Sequence, residues 1–67
     1  MAFSNGDKVS WKTPQGPTPG VVKQKRVNDF EFEGQIFKPT YDDAYYIVES
    51  EKTGSKAAHK ESALTAR

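Results

Sequence analysis

The sequence predicts a small all-β barrel, and three observations support this fold class. No stretch sustains apolar residues at helical spacing, whereas short runs of alternating apolar and polar residues recur along the chain. Glycine and proline interrupt these runs at short intervals, as turns between strands do. The length of 67 residues suits one domain, and 10 Lys plus Arg against 9 Asp plus Glu leave a net charge of only +1, which is unlike a disordered chain.

The first third of the chain predicts two strands separated by a loop. Residues 7–12 alternate so that Val9 and Trp11 share one face of a strand. Residues 13–20 contain three prolines and two glycines. Because proline has no amide hydrogen for a strand ladder, this segment is predicted to be a loop. A second strand is predicted over residues 20–27, with Val22 facing the core.

The middle of the chain predicts a hairpin followed by the clearest strand. Residues 30–33 and 35–38 flank Gly34 and indicate a short hairpin or extended excursion. Residues 45–50 are rich in β-branched and aromatic side chains, which favour strands. Residues 51–54 then indicate a turn, because the glycine at its end tolerates the positive φ that hairpins need.

The C-terminal part predicts a strand of small residues at 55–60 and one helical turn at 61–64, which places Leu64 in the core. A final short strand ends the chain. About five short antiparallel strands with one helical turn near the C-terminus predict an SH3-like barrel, which leaves little open strand edge. Residues 1–67 are predicted to form this single domain, with residues 1–5 as a flexible N-terminus.

The composition also excludes several classes of site. There is no cysteine, so neither a disulfide nor a cysteine-based zinc site can form. The first residues lack the apolar run of a secretory signal, and no stretch is apolar enough to span a membrane. We therefore expect a cytoplasmic protein that uses no cofactor and no metal and does not associate with membranes.

Five runs occur in an order that is typical of a known family. They are residues 6–11 (GDKVSW), 20–22 (GVV), 46–54 (YIVESEKTG), 57–60 (AAHK) and 63–64 (AL). Together they resemble the hypervirulence-associated protein TUDOR domain family over nearly the whole chain from residue 6 to residue 64. The resemblance implies an SH3/Tudor-like barrel and brings neither an established enzymatic activity nor catalytic residues.

Four aromatic residues are candidates for a ligand cage at one end of the barrel: Trp11, Tyr41, Tyr45 and Tyr46. Aromatic faces attract cations, and the resemblance to the wider Tudor superfamily implies a methylated lysine or arginine as ligand. Alternation places Trp11 and Tyr46 in the core instead. Tyr41 and Tyr45 are therefore the better ligand candidates.

The predicted hairpin carries four large apolar side chains: Phe30, Phe32, Ile36 and Phe37. They either cover the core or form an exposed interface, and an exposed patch of this size is unusual for a monomer. Phe30 and Phe37 are therefore included among the candidate ligand contacts. The protein is expected to be a monomer or a weak homodimer.

A set of basic residues favours a second interpretation, a nucleic-acid site formed by Lys23, Lys25, Arg26 and Lys60 with tyrosine stacking. Lys56 on the later strand is a further candidate for this set. Acidic residues at positions 29, 31 and 33 oppose this interpretation, because they offset the positive field. A solvated strand face, with lysines that block edge-to-edge aggregation, explains the basic run without any partner.

His59 is the single histidine and the one side chain with an ordinary pKa near neutrality. A catalytic or metal site needs several convergent groups in a pocket. We therefore predict a structural role, with a partly buried imidazole that hydrogen-bonds to the backbone on the same face as Ala57. An enzyme would need a pocket beside His59 that is deep enough to enclose a substrate, and we expect none.

These observations predict a non-catalytic interaction module that binds an unknown protein or peptide. The exposed aromatics Tyr41 and Tyr45 and the hairpin of residues 30–37 are predicted to make the contacts. The alternative is a small-barrel nucleic-acid-binding protein.

Overall fold

The computed structural model describes residues 3–67, which contain short strands and one 3-10 helix. The strands are β1 (Lys8–Thr13), β2 (Gly16–Arg26), β3 (Phe30–Phe32), β4 (Gln35–Phe37), β5 (Tyr45–Ser50), β6 (Lys56–Lys60) and β7 (Thr65–Ala66), and the 3-10 helix covers Glu61–Ala63. All pairings are antiparallel. The predicted all-β class and the helical turn near the C-terminus are confirmed.

Five strands form one sheet in the order β6-β5-β2-β1-β7, and β3 and β4 form a separate hairpin. The long strand β2 pairs with β1 over its first half and with β5 over its second half. An irregularity in register between Val22 and Gln24 interrupts the second pairing, and such bulges bend a strand. The sheet therefore curls into a barrel-like form. Within the described residues β6 and β7 do not pair with each other, so both remain edge strands joined by the 3-10 helix.

The predicted loop over residues 13–20 is wrong, because β2 begins at Gly16 and includes Pro17 and Pro19. The Pro19 carbonyl accepts a hydrogen bond from the Glu51 N–H at 3.0 Å, on the side away from β1. In a strand the N and C=O of one residue point to the same side, so the Pro19 nitrogen also faces away from β1. Pro17, two residues earlier, has the same orientation. Neither proline therefore removes a hydrogen bond from the β1–β2 ladder. The composition of the segment does not show which way the proline nitrogens face.

The core lies on the concave face of the sheet. Val9, Val22, Tyr46 and Val48 are fully buried, and Trp11 retains 7% exposure. The remaining members of the core cluster are Phe3, Ala44 and Leu64. The inward orientation predicted for Val9, Trp11, Val22, Tyr46 and Leu64 is confirmed.

The N-terminal segment contributes more to the core than the sequence suggested. Phe3 is buried, and its ring packs edge-on against Tyr46 with centroids 5.6 Å apart. The Phe3 N–H also donates to the Tyr46 hydroxyl at 3.2 Å. The flexible N-terminus predicted for residues 1–5 includes residues 1 and 2, which lie outside the described residues.

The β3–β4 hairpin forms where Gly34 predicted it. Glu33 and Gly34 both have positive φ, 52° and 80°, as the central residues of a type I′ turn do. The predicted turn after β5 is also confirmed, since Gly54 has a φ of 77°. This second turn positions β6 beside β5, with His59 opposite Tyr46.

Candidate functional site

An open cleft of about 530 Å³ lies beside His59. Its floor contains Trp11 and His59, and its other walls come from β1, from the start of β2 and from the 3-10 helix and β7. The remaining lining residues are Ser10, Lys12, Pro17, Ser62, Ala63 and Thr65. A concave site therefore lies beside His59, but it is open to solvent and does not enclose a ligand as the pocket of an enzyme would. One wall of the cleft is formed by Pro17, which belongs to β2 and not to the predicted loop.

A second concavity of about 260 Å³ is also lined by Trp11. It lies between the β1–β2 hairpin and the β5–β6 hairpin. The other lining residues are Thr13, Gln15, Thr18, Ser50, Lys52, Thr53, Ser55, Lys56 and Ala57. We call the two concavities together the Trp11 groove. Strand β6 contributes to both of them, through His59 in the first and through Lys56 and Ala57 in the second.

The imidazole of His59 lies against the indole of Trp11, with ring centroids 5.4 Å apart and an interplanar angle of 39°. Partial burial lowers the pKa of His59 below its usual value, because the charged form loses solvation. The predicted half-buried position is confirmed. The predicted hydrogen bond to the backbone is not observed within residues 3–67, since the tilted ring contact with Trp11 takes its place.

The Trp11 groove has a one-sided charge. Lys12, Lys52 and Lys56 line it, all three side chains are exposed, and no aspartate or glutamate is among the described lining residues. None of these lysines forms an ion pair within the described chain. The other polar lining groups are mostly serine and threonine hydroxyls. The site therefore presents cationic and hydroxyl groups around a small aromatic floor.

The sequence indicated Lys56 only as a further candidate for the nucleic-acid site, and it did not indicate Lys12 or Lys52 as site residues. Lys12 is far from Lys52 and Lys56 in the chain, and the three side chains line one groove because the β1–β2 and β5–β6 hairpins lie side by side. The sequence contained two separate signals: alternation places Lys12 on the face of β1 opposite Trp11, and the turn predicted over residues 51–54 contains Lys52. Neither signal indicates that the two lysines line one groove, because this depends on a β2 strand that begins at Gly16.

The predicted aromatic ligand residues lie in a different part of the molecule. Phe37 packs between Phe30 and Tyr45, with centroid distances of 5.1 Å and 4.9 Å. Tyr41 is 83% exposed and has no ring contact within the described residues. Tyr46 pairs with Phe3, and Trp11 with His59. The rings of Trp11, Tyr41, Tyr45 and Tyr46 therefore do not converge on one cage.

The hairpin is partly a lid and partly an exposed surface. Phe30 is buried and its ring also meets Tyr45 edge-on at 6.0 Å. Phe32 and Phe37 are half-buried, whereas Ile36 is 63% exposed. We call the exposed side chains Ile36 and Tyr41 the hairpin surface.

The predicted basic residues are divided by their local contacts. Lys23 pairs with Glu49 at 3.4 Å, and Lys60 pairs with Asp43 at 3.1 Å. The bond to Asp43 raises the pKa of Lys60. Arg26 lies over the Phe30 ring and Lys25 over the Tyr46 ring, at 4.9 Å and 6.0 Å from the centroids. Lys25 and Arg26 are consecutive residues of β2, and consecutive side chains of a strand point to opposite faces of the sheet.

Other types of site are not evident in the part of the chain that the structure describes. Residues 3–67 contain no group of three or more His, Cys, Asp or Glu side chains that could hold a metal ion. The described residues also include no helix long and apolar enough to cross a bilayer.

A strongly bent antiparallel sheet of short strands, with one 3-10 turn before the last strand and a groove at one end, defines a small barrel-like domain of the Tudor type. Residues 6–64 match the family described as Hypervirulence associated proteins TUDOR domain, and the chain belongs to this family. The resemblance seen in the sequence is thereby confirmed, and membership indicates a small interaction module. No curated protein and no solved structure matched the chain.

Proposed function

We propose that this protein is a non-catalytic interaction module that binds an extended peptide segment of a partner protein in the Trp11 groove. The observation that carries the proposal is that two concavities, of about 530 Å³ and 260 Å³, share one buried indole, that of Trp11, in their lining. Both are open to solvent, so a chain can pass along them without an opening motion.

The chemistry of the lining supports binding rather than catalysis. His59 is the one lining side chain among the described residues that titrates near neutral pH. Within residues 3–67, neither concavity is lined by a carboxylate, a cysteine or a second histidine that could orient His59. General acid–base and nucleophilic catalysis need such partners. The same proposal places the module in the cytoplasm, as a monomer or weak homodimer.

The hairpin surface is a second candidate for the same function. Tyr41 and Ile36 are its exposed large apolar side chains, at 83% and 63% exposure. Phe30, Phe37 and Tyr45 pack against one another and connect the β3–β4 hairpin to β5.

The nucleic-acid alternative has weaker support from the geometry. Glu49 and Asp43 pair with two of the four predicted basic residues, and the other two lie on opposite faces of the sheet. A single-stranded nucleic acid needs a continuous basic track with exposed aromatic faces. These four residues do not form such a track.

Selection from a random peptide library, followed by binding measurements on two variants, tests the proposal. Ala63→Trp fills the cleft from an exposed position in the 3-10 helix, and Tyr41→Ala removes the centre of the hairpin surface. We expect selected peptides to bind the native protein and Tyr41→Ala equally and to lose affinity for Ala63→Trp.

The reverse pattern would move the binding site to the hairpin surface. Failure to select any peptide, while single-stranded RNA shifts the groove amides in a nuclear magnetic resonance (NMR) spectrum, would contradict the proposal as a whole. Circular dichroism of both variants serves as the control for folding.

A further inference from the structure

Strand β6 has an unpaired edge beside the Trp11 groove. Within the described residues β6 pairs with β5 on one side only. The Ser50 N–H donates to the Ser55 carbonyl at 2.8 Å, so the backbone polar groups of residue 55 point toward β5. The β5–β6 register continues without irregularity, so those of residues 57 and 59 point the same way. The N–H and C=O groups of Lys56 and Ala58 therefore point outward and are available to another strand.

The edge of β6 is accessible to a partner at its centre. Ala57 and Ala58 are half-buried and small, and the strand lines both concavities of the groove. Addition of an extended peptide to such an edge is a recurrent mode of recognition, in which backbone hydrogen bonds give affinity and side-chain pockets give specificity. The five residues of β6 are long enough for a short added strand.

The charge of the groove restricts the chemistry of that peptide. Lys12, Lys52 and Lys56 are exposed, form no ion pair within residues 3–67, and meet no acidic lining residue. Lys8, Lys25, Arg26 and Lys38 also form no ion pair within the described residues, so the groove lysines are distinguished by lining one surface together. Because the described lining includes three lysines and no acidic residue, the groove has a local excess of positive charge in a chain of net charge +1. Such an excess complements a negatively charged ligand.

Protection against aggregation does not account for all three lysines. Lysines on an edge strand discourage unwanted pairing, and this role suits Lys56. Lys12 lies on β1 and Lys52 lies in the turn after β5, so neither is on the β6 edge. Their convergence on the groove needs a different explanation.

A peptide fits these observations better than a single-stranded nucleic acid. Bases bind by stacking on open aromatic faces. Trp11 retains only 7% exposure, and His59 covers one side of its ring. Backbone amide and carbonyl groups on an open strand edge are complementary to another strand.

We propose that the ligand of the Trp11 groove is an acidic, extended segment of a partner protein that adds antiparallel or parallel to β6, with its carboxylates near Lys12, Lys52 and Lys56. This inference rests on the peptide-binding function proposed above and specifies the ligand class.

Three synthetic peptides of about eight residues test the inference, a length that exceeds β6 at both ends. One alternates glutamate with threonine, one alternates lysine with threonine, and one alternates serine with threonine. Trp11 is the single tryptophan, so its fluorescence reports on the groove. Amide shifts of Lys56 and Ala58 in an NMR titration report on the edge of β6. We expect the glutamate peptide alone to bind, to move both signals, and to bind more weakly as salt increases.

Charge-reversal variants locate the contact. Lys56→Glu and Lys12→Glu are expected to weaken binding of the glutamate peptide by about fivefold each, from loss of a surface charge pair and added repulsion. Lys38→Glu makes the same change in net charge at an exposed position outside the groove and is the matched control. Equal weakening by all three variants would overturn the assignment to the groove.

Two N-methylated versions of the glutamate peptide test whether it adds to β6 as a strand. One is methylated at the odd-numbered backbone amides and the other at the even-numbered ones. One frame is expected to lose binding and the other to retain it, because alternate amides of a strand face opposite sides. Retention of binding in both frames would overturn strand addition.

The three peptides also separate this inference from the proposed function. If the serine and lysine peptides shift the groove amides as strongly as the glutamate peptide, the peptide-binding function stands and the acidic ligand class is wrong. If no peptide shifts them while single-stranded DNA does, both proposals are wrong.

Discussion

The indole of Trp11 packs directly on the backbone of Gly20, one strand away on β2. A methyl group in place of the Gly20 hydrogen would collide with the Cη2 atom of Trp11 and come within 2.5 Å of the Glu49 carbonyl oxygen. Gly20 has no unusual φ, so the requirement for glycine comes from this close approach and not from backbone conformation. The position of the groove floor therefore depends on the absence of a side chain at residue 20.

Gly20→Ala tests this relationship. Because the Glu49 backbone and the buried indole would both have to shift, we expect the free energy of unfolding to fall by at least about 2 kcal/mol, at the upper range of overpacking effects. Urea unfolding followed by Trp11 fluorescence measures the change.

Gly34→Ala is the matched control, since the Gly34 site has open space around a Cβ but a φ of +80°. We expect it to lose only about 1 kcal/mol through backbone strain. Equal losses for the two variants would show that the contact between Trp11 and Gly20 is not tight.

Tyr46 connects the N-terminal segment to the 3-10 helix through its hydroxyl group. The hydroxyl accepts the Phe3 N–H at 3.2 Å and donates to the Glu61 Oε1 atom at 3.4 Å. Tyr46→Phe leaves the buried ring in place and removes both bonds, so we expect a loss of about 1–2 kcal/mol in unfolding free energy.

Tyr41→Phe is the control for Tyr46→Phe, because the Tyr41 side chain is 83% exposed and its hydroxyl makes no hydrogen bond within the described residues. Its stability should match that of the native protein. Amide hydrogen exchange at Phe3 should increase in Tyr46→Phe and stay unchanged in Tyr41→Phe. Protection at Phe3 that survives in both variants would contradict the role of the Tyr46 hydroxyl.

His59 makes the stability of the fold depend on pH. Its pKa is lowered in the folded state, so between the folded and unfolded pKa values the unfolded chain binds more protons. The free energy of unfolding is therefore at its full value above the pKa of His59 in the unfolded chain, about 6.5. It declines as the pH falls from there through the lower pKa of the folded state.

Thermal unfolding between about pH 7.5 and pH 5.5 measures this decline. The window lies above the pH range in which carboxylates titrate. His59→Gln, which cannot gain a proton, is expected to remove most of the slope in this window. An unchanged slope in the variant would assign the effect to another group. NMR titration of the imidazole in the native protein gives the direction of its pKa directly.

The sequence was sufficient for the elements that depend on local patterning. The alternation of Val9 and Trp11, the β-branched run of β5 and the glycine in each tight turn predicted strands and hairpins that the structure contains. The prolines of β2 were misleading because their effect depends on which side of the strand their nitrogens face. That orientation follows from the pairing register, which composition alone does not contain.

The candidate site was much less predictable than the fold. Lys12, Lys52 and Lys56 belong to separate elements, and only the packing of two hairpins brings them to one groove. Conversely, the basic run after Val22 was prominent in the sequence, but the irregularity at Lys23 and the paired carboxylates divide and neutralise it. Contacts between distant residues decide both outcomes.

Phe37 joins the β3–β4 hairpin to the main sheet, and its removal should release the hairpin without unfolding the barrel. Its ring packs between Phe30 and Tyr45, and these aromatic contacts lie outside the principal core cluster. Phe37→Ala is expected to cost about 2 kcal/mol in local stability, because the hairpin loses the apolar contacts of this half-buried ring and two aromatic pairs.

Hydrogen exchange measures the effect. It should accelerate in residues 30–37 while β1 and β5 stay protected. Ile36→Ala, at a site 63% exposed on the same hairpin, should change exchange little. Equal acceleration in β5 would show that the hairpin and the barrel unfold as one unit, because the Tyr45 contact then couples them.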